Sequence, residues 1–269
     1  MNDAPGIETQ YRVPPGCEWL VDVTEAERNR RRNESFTGLP LDEFERVYFG
    51  IEVGNIRRYF EERMIRYIPG NCGLFVDYGC GGIWWKQYWR LPAQVIGIEV
   101  DESNLARLRK EFPDQKRYRL IHAPTGVTML GDEIADVVLS SSVVGFILPA
   151  QADLHVAEIA RLLKPGGRAI FSRVNAMNYG TLLRRSKLTE PAKGGFAYQY
   201  SRRELRRLAE KAGLKVKSTE RLGFYFPLQG RILQQAYGLQ IVRRLDRWFN
   251  QIVPGFAVHH LMVAEKPGN

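Results

Sequence analysis

The sequence predicts an α/β fold: an open, mostly parallel sheet with helices on both faces. Three observations carry this. From residue 74 onward, short apolar runs alternate with helical patterns, and such alternation implies right-handed βαβ crossovers. The first run, LFVDY at 74–78, passes directly into a glycine cluster, GCGG. The next run ends in an acid, Glu99, twenty residues after Gly79.

The elements read as follows. Residues 1–40 are irregular, with VPPG and then TEAERNRRRNES. Two helical patterns follow. LDEFERVYFG sets Phe44, Val47, Tyr48 and Ile51 at helical spacing, and NIRRYFEERMIRYI does so with Ile56, Phe60, Met64 and Ile68. PGNCG ends the second. LFVDY and AQVIGIEV are the first two strands. ESNLARLRKEF is a helix closed by Pro113, RYRLIHA the third strand and ADVVLSSS the fourth. ADLHVAEIARLLKPGG is a helix stopped by KPGG, where glycine supplies the positive φ of a helix end. RAIFSRV is the fifth strand. SRRELRRLAEKAGL is a helix with Ser201 at its N-cap and Glu204 three residues on, the pattern of a capping box. KVKSTERLGFYF is the sixth strand, a long amphipathic helix follows at roughly 229–250, and HHLMVAEKP is the last strand. The expected domains are an irregular segment and helical cap over 1–70 and a sheet domain over 71–269. Helical insertions are expected near 176–200 and 227–254.

Composition narrows the class. A chain of 269 residues can bury one large core. Its 44% hydrophobic and 26% charged content fits a globular protein rather than a fibrous or disordered one. The start, MNDAPGIETQ, has no apolar h-region, so no signal peptide is expected. IADVVLSSSVVGFILPA holds Asp136 and three serines and reads as a buried strand plus loop rather than a membrane span. Cys17, Cys72 and Cys80 form no metal spacing and cannot all pair, which implies no metal site and a reducing cytoplasm. The net charge of +9 is concentrated: residues 181–250 hold 16 Lys and Arg against 5 Asp and Glu. That segment is either a solvated helix surface or the seat of an anionic partner.

In an open parallel sheet, ligands bind at the carboxyl ends of the strands, where strand order reverses. Gly79 and Gly81 let the backbone turn tightly and touch a ligand there. The free N–H groups of a following helix would favour carboxylate or phosphate. A carboxylate at Glu99 can accept both hydroxyls of a ribose; Asp101 is the competing acid. A glycine loop and a ribose acid together describe a nucleoside-containing cofactor. The dinucleotide pattern G-x-G-x-x-G fails, because its sixth position is Trp84.

The spacing of Asp77, Gly79 and Gly81 instead resembles the D-x-G-x-G motif of class I S-adenosylmethionine-dependent methyltransferases. GIEVDESNL resembles that family's second motif, ADVVLSSS its fourth-strand motif and ARLLKPGGRAIFSRV its fifth-strand motif. SRRELRRLAEKAGLKV and HHLMVAEKP are similar to its closing elements, so the resemblance covers about residues 70 to 269. It implies a Rossmann-like seven-stranded methyltransferase sheet, mostly parallel with an antiparallel last strand. It implies S-adenosyl-L-methionine as cofactor and a small-molecule acceptor, a biosynthetic intermediate of apolar or lipid-linked kind. It also implies roles. Gly79, Cys80 and Gly81 meet the methionine part through backbone, Asp77 orders the loop and Glu99 holds the ribose. Val100, His122 and Ala123 border adenine. Ser141, with Ser142, stands where methyl group and acceptor meet, or else caps a helix. Ile83 replaces a third glycine of the loop. His122 and Ala123 stand where many relatives carry an adenine-binding acid, which leaves adenine to backbone and stacking.

Methyl transfer is an in-line displacement whose main demand on a protein is alignment. Trp84 and Trp85 could face the sulfonium charge, or pack as part of the helix after the loop. His155 is the candidate general base. The acceptor pocket is expected from the N-terminal helices, from the segment after strand five with Tyr179, Phe196 and Tyr198, and from the last helix. That helix sets Leu233, Tyr237, Ile241, Leu245 and Trp248 near i, i+4 spacing, with Arg243, Arg244 and Arg247 interleaved. The stripe fits packing. It also fits a basic membrane-surface helix giving peripheral membrane contact. Two other functions stay open: methylation of RNA by the basic 181–250 segment, although no separate RNA-binding module is present, and non-catalytic, cofactor-dependent binding at a membrane surface.

Overall fold

The computed structural model describes residues 54–81, 86–124, 126–147, 149–174, 188–189, 197–224, 236, 238–253 and 257–268. The sheet is built from β1 (Leu74–Tyr78), β2 (Gln94–Glu99), β3 (Tyr118–His122), β4 (Ala135–Ser141), β5 (Leu163–Val174), β8 (Lys215–Phe224) and β9 (Ala257–Glu265). Its order is β3-β2-β1-β4-β5-β9-β8. β9 runs antiparallel to both neighbours, and the other six strands are parallel. This is the expected seven-stranded, Rossmann-like arrangement. A separate two-stranded ribbon pairs β6 (Leu188–Thr189) with β7 (Ala197–Tyr198) inside the expected 176–200 insertion.

Side chains alternate across each strand, so each face of the sheet buries its own core. Val76, Tyr78, Ile96, Val138 and Phe171 pack beneath α3 (Pro149–Leu162) and α4 (Arg202–Lys211), whose Val156, Ile159, Leu205 and Ala209 join the same cluster. On the opposite face, Phe75, Val95, Val137, Leu139 and Ile170 meet Tyr59 and Met64 of α1 (Gly54–Ile65). Leu105 and Leu108 of α2 (Glu102–Glu111) complete that cluster. Thus α1, part of the expected N-terminal cap, packs on the sheet itself. The helical pattern at 41–50 lies outside the described residues.

The α4 capping box forms as its sequence implies. Ser201 Oγ accepts from the Glu204 amide, and the Glu204 carboxylate accepts from the Ser201 amide. Three expectations need correction. The helix expected after the glycine loop is, among the described residues, a five-residue 3-10 helix at Lys86–Arg90. The α3 helix ends at Leu162, just before KPGG, and Gly166 takes the expected positive φ of +77°, but KPGG is part of β5, whose pairing with β4 shifts register between Ala135 and Val137. The third concerns α5 (Gln240–Ile252). Of the two readings its stripe allows, packing does not hold: Ile241, Leu245 and Trp248 are exposed, as is Ile252 one turn on. Its buried residues are Asp246 and Asn250. Leu233 and Tyr237 lie outside the described residues.

The polar face of α5 has a physical cause. β8 is an edge strand, and a free edge presents unpaired N–H and C=O groups. At Gly223 those groups are met by α5: the amide donates to Asp246 Oδ2 at 3.2 Å, and the carbonyl accepts from Asn250 Nδ2 at 3.4 Å. Among the described residues no helix is long and apolar enough to cross a membrane.

Candidate functional site

Strand order reverses between β1 and β4, which both leave the sheet at its carboxyl edge. Gly79 and Gly81 follow β1 there with φ of +77° and +61°, a region that costs a side-chain-bearing residue strain. The two glycines differ in surroundings. A Cβ on Gly79 would overlap Val143 Cγ2 and lie 2.9 Å from its Cγ1. A Cβ on Gly81 would meet nothing within 4 Å. The crevice is therefore closed by Val143 at the first glycine and open at the second.

The acid at the end of β2 reaches this loop. Glu99 Oε2 accepts from the Gly81 amide at 2.7 Å, and Oε1 accepts from the Val100 and Asp101 amides at 2.8 and 3.1 Å. The competing acid has other work: Asp101 caps α2 by accepting from the Ser103 amide. Beside Glu99, the His122 ring is 3.0 Å from the Val100 carbonyl through Nε2, and its Nδ1 lies 3.7 Å from Glu102. Ala123 is buried, and its amide donates to the Glu99 carbonyl. Val100, His122 and Ala123 thus line the same end of β2 and β3.

Asp77 is buried at the end of β1. Its Oδ2 accepts from Tyr88 Oη at 2.9 Å and from Trp89 Nε1 at 2.8 Å. This fixes the 3-10 segment to β1. Burial and the neighbouring Asp77 hold the Tyr88 phenol well above its ordinary pKa, so it remains a donor. Sequence reasoning missed Tyr88 and Trp89, which follow Asp77 by 11 and 12 residues in a stretch without periodicity. Trp84 and Trp85 lie outside the described residues. Cys80 is buried, and its amide donates to the Ile98 carbonyl.

At the end of β4, Ser141 Oγ is 3.1 Å from Ser172 Oγ of β5. Ser142 takes φ of +61° and donates its amide to the Ser172 carbonyl. Neither serine caps the short 3-10 turn at 144–146, whose N-cap is Val143 without a side-chain bond. Ser172 and Val143 were not among the expected residues. Nor was Arg173, a buried cation that donates to the Tyr198 carbonyl at 3.0 Å and lies 5.2 Å from the Tyr200 ring centroid. Burial lowers its pKa to about 10. Tyr179 and Phe196 lie outside the described residues.

His155 lies on α3, only 7% exposed. Its Nε2 is 3.0 Å from Ser140 Oγ, and its ring meets Tyr78 edge-on. Desolvation lowers its pKa to about 4. His260 is lowered to about 3, by burial first and then by Arg173 and Arg221. A cavity of about 390 Å³ lined by Leu74, Gln94, Lys116 and Arg119 opens at the opposite, amino edge of the strands. Among the described residues no group of His, Cys, Asp or Glu could hold a metal ion.

Known proteins are similar to this chain. A family model described as a methyltransferase domain matches residues 76–171. Two relatives are named ubiquinone biosynthesis O-methyltransferase. That of Nitrobacter winogradskyi is 28% identical over 202 residues, 74% of this chain and 72% of that one. That of Bradyrhizobium diazoefficiens is 32% identical over 117 residues, 42% of this chain, and the match spans 45% of the relative's length. Among solved structures, 1,6-didemethyltoxoflavin-N1-methyltransferase of Burkholderia thailandensis, with its acceptor and S-adenosylhomocysteine bound, superposes with a TM-score of 0.61. The identity there is 15%, and 91% of each chain is covered. The residues here fit the cofactor of such proteins: any Cβ would fill the open approach at Gly81, and the Glu99 carboxylate stands 2.7 Å from that residue's amide. By its domain match over residues 76–171 and by a sheet of this order, the chain is similar to S-adenosylmethionine-dependent methyltransferases and carries their fold.

Proposed function

We propose that the chain transfers a methyl group from S-adenosylmethionine to a hydroxyl oxygen of a small, apolar or lipid-linked biosynthetic intermediate. The observation that carries this reading is the meeting of Gly81 and Glu99 across the open part of the crevice. The relatives named for O-methyl transfer support oxygen as the accepting atom. The cofactor supplies an electrophilic methyl on a good leaving group, so the chain's own residues have to bind, orient and exclude water. In this reading Gly79, Cys80 and Gly81 present backbone to the methionine part, and Glu99 accepts from the ribose hydroxyls. Val100, His122 and Ala123 border the adenine. Asp77 holds the loop through Tyr88 and Trp89.

The acceptor would enter over Ser141 at the ends of β4 and β5, with Arg173 beyond it. We assign His155 to positioning rather than to proton removal. A base lowered to about 4 takes few protons near neutral pH, and its Nε2 is engaged by Ser140. A phenolic acceptor would need little help in losing its proton.

The test is calorimetric binding of S-adenosylmethionine and S-adenosylhomocysteine to wild type and to Glu99→Gln. Micromolar binding that weakens at least tenfold (about 1.4 kcal/mol) in the variant is expected. A folded wild type that binds neither would overturn the reading. Mass spectrometry of hydroxylated aromatic acceptors, with and without an apolar tail, then tests the acceptor class.

A further inference from the structure

We propose that the outward face of α5 docks the protein on an anionic phospholipid surface. Ile241, Leu245, Trp248 and Ile252 recur at i, i+4, i+7 and i+11, which places them in one stripe along the helix. Each is between 52% and 59% exposed, and Leu239 at the N-cap is 58% exposed. Single exposed apolar residues are ordinary, but five on one short helix are not. The helix can afford this orientation because Asp246 and Asn250 bind it to the edge of β8 through its polar face.

The charges beside the stripe select the occupant. Arg243 is taken by Glu62 at 2.5 Å, and Asp246 is buried against Gly223. Arg244 is exposed beside the stripe, whereas Arg247 is half-buried and turned to the buried Tyr59 hydroxyl. Arg221 of β8 is not part of the rim of this face: it donates to the Asn250 carbonyl of α5 at 3.4 Å, and burial first, then the nearby exposed Arg202, lowers its pKa. Among the described residues of α5, the exposed charge beside the apolar face is thus the cation Arg244. A second copy of the chain would set Arg244 near its own counterpart. A bilayer carrying phosphate headgroups would meet it with opposite charge while taking the apolar stripe into its interface. Tryptophan suits that boundary, with an apolar ring and one polar N–H.

Placement gives the contact a use. β8 is parallel to β1, so Gly223 lies at the carboxyl edge that also carries Gly79, Glu99 and Ser141. A membrane bound there would face the acceptor side of the sheet. The docking surface does not depend on which acceptor is methylated, and it is read without turnover.

The experiment is flotation of the full chain with vesicles of phosphatidylcholine alone and of equal parts phosphatidylcholine and phosphatidylglycerol. Wild type is expected to float with the anionic vesicles only, and high salt to weaken it. The double variant Trp248→Ala with Ile252→Ala, and separately Arg244→Glu, should each bind at least tenfold more weakly with unchanged melting temperature. Wild type that stays unbound from anionic vesicles would overturn the proposal. So would a double variant that floats equally well. A wild-type dimer in sedimentation that the double variant returns to monomer, with neither floating, would assign the stripe to a second copy instead.

Discussion

Gly79 and Gly81 share a left-handed backbone but not a neighbourhood, and replacing each by alanine separates two effects. An L-residue in that conformation costs about 1–2 kcal/mol. Gly81→Ala should lose about this much, because its Cβ meets open space. Gly79→Ala carries the same strain and also an overlap with Val143. Overpacking of that kind adds about 1–3 kcal/mol, for a total of roughly 2–5 kcal/mol. In a domain of this size each kcal/mol lowers the melting point by about 2–4 °C. Thermal and urea melts of the two variants, of Val143→Ala and of the double variant Gly79→Ala with Val143→Ala give a double-mutant cycle. The double variant should recover the overlap part and keep the strain part. Cofactor titration should show the reverse ranking: Gly81→Ala, mild for stability, should bind at least tenfold more weakly. Equal destabilisation at both glycines, or no recovery when Val143 is shortened, would refute the reasoning.

Two further outcomes follow from the buried groups. Asp77→Ala removes the acceptor of Tyr88 and of Trp89; at about 1–3 kcal/mol for each stranded donor, it should cost roughly 2–6 kcal/mol in a urea melt. Tyr88→Phe should cost only about 1 kcal/mol. His155 and His260 sit near 4 and 3 in the folded chain, against about 6.5 when free. Between those values the unfolded chain binds protons that the folded chain does not, so stability is full above about pH 6.5 and falls toward pH 4. The His155 share is about 3 kcal/mol. Melts of wild type and His155→Gln from pH 7 to 4 should show a shallower fall in the variant, and parallel curves would contradict the assignment.

Much of the sheet was legible because its strands are apolar runs cut by strong punctuation. The α4 helix was legible because Ser201 and Glu204 spell their own hydrogen bonds. The place of Glu99 was legible because it ends the strand after the glycine loop; its bond to the Gly81 amide was not. Two other features were not legible, for a common reason. Tyr88 and Trp89 find Asp77 through a short 3-10 turn, which leaves no 3.6-residue pattern to read. The orientation of α5 depends on its partner: a hydrophobic stripe says which side of a helix is apolar, not which side faces the protein. Here a sheet edge with free backbone groups at Gly223 selected Asp246 and Asn250, and the apolar side turned outward.

The position of β9 also orders events during synthesis. β8 joins the sheet only through β9, although β9 is made some thirty residues later. A nascent chain can therefore assemble β1 to β5 and then wait, with the flank of β5 bare and β8 without its ladder. Closure comes when residues 257–265 clear the ribosome and slide between two strands already made. A ribosome stalled just before that point should expose a protease-sensitive β8 and α5 beside an already resistant β1–β5 core.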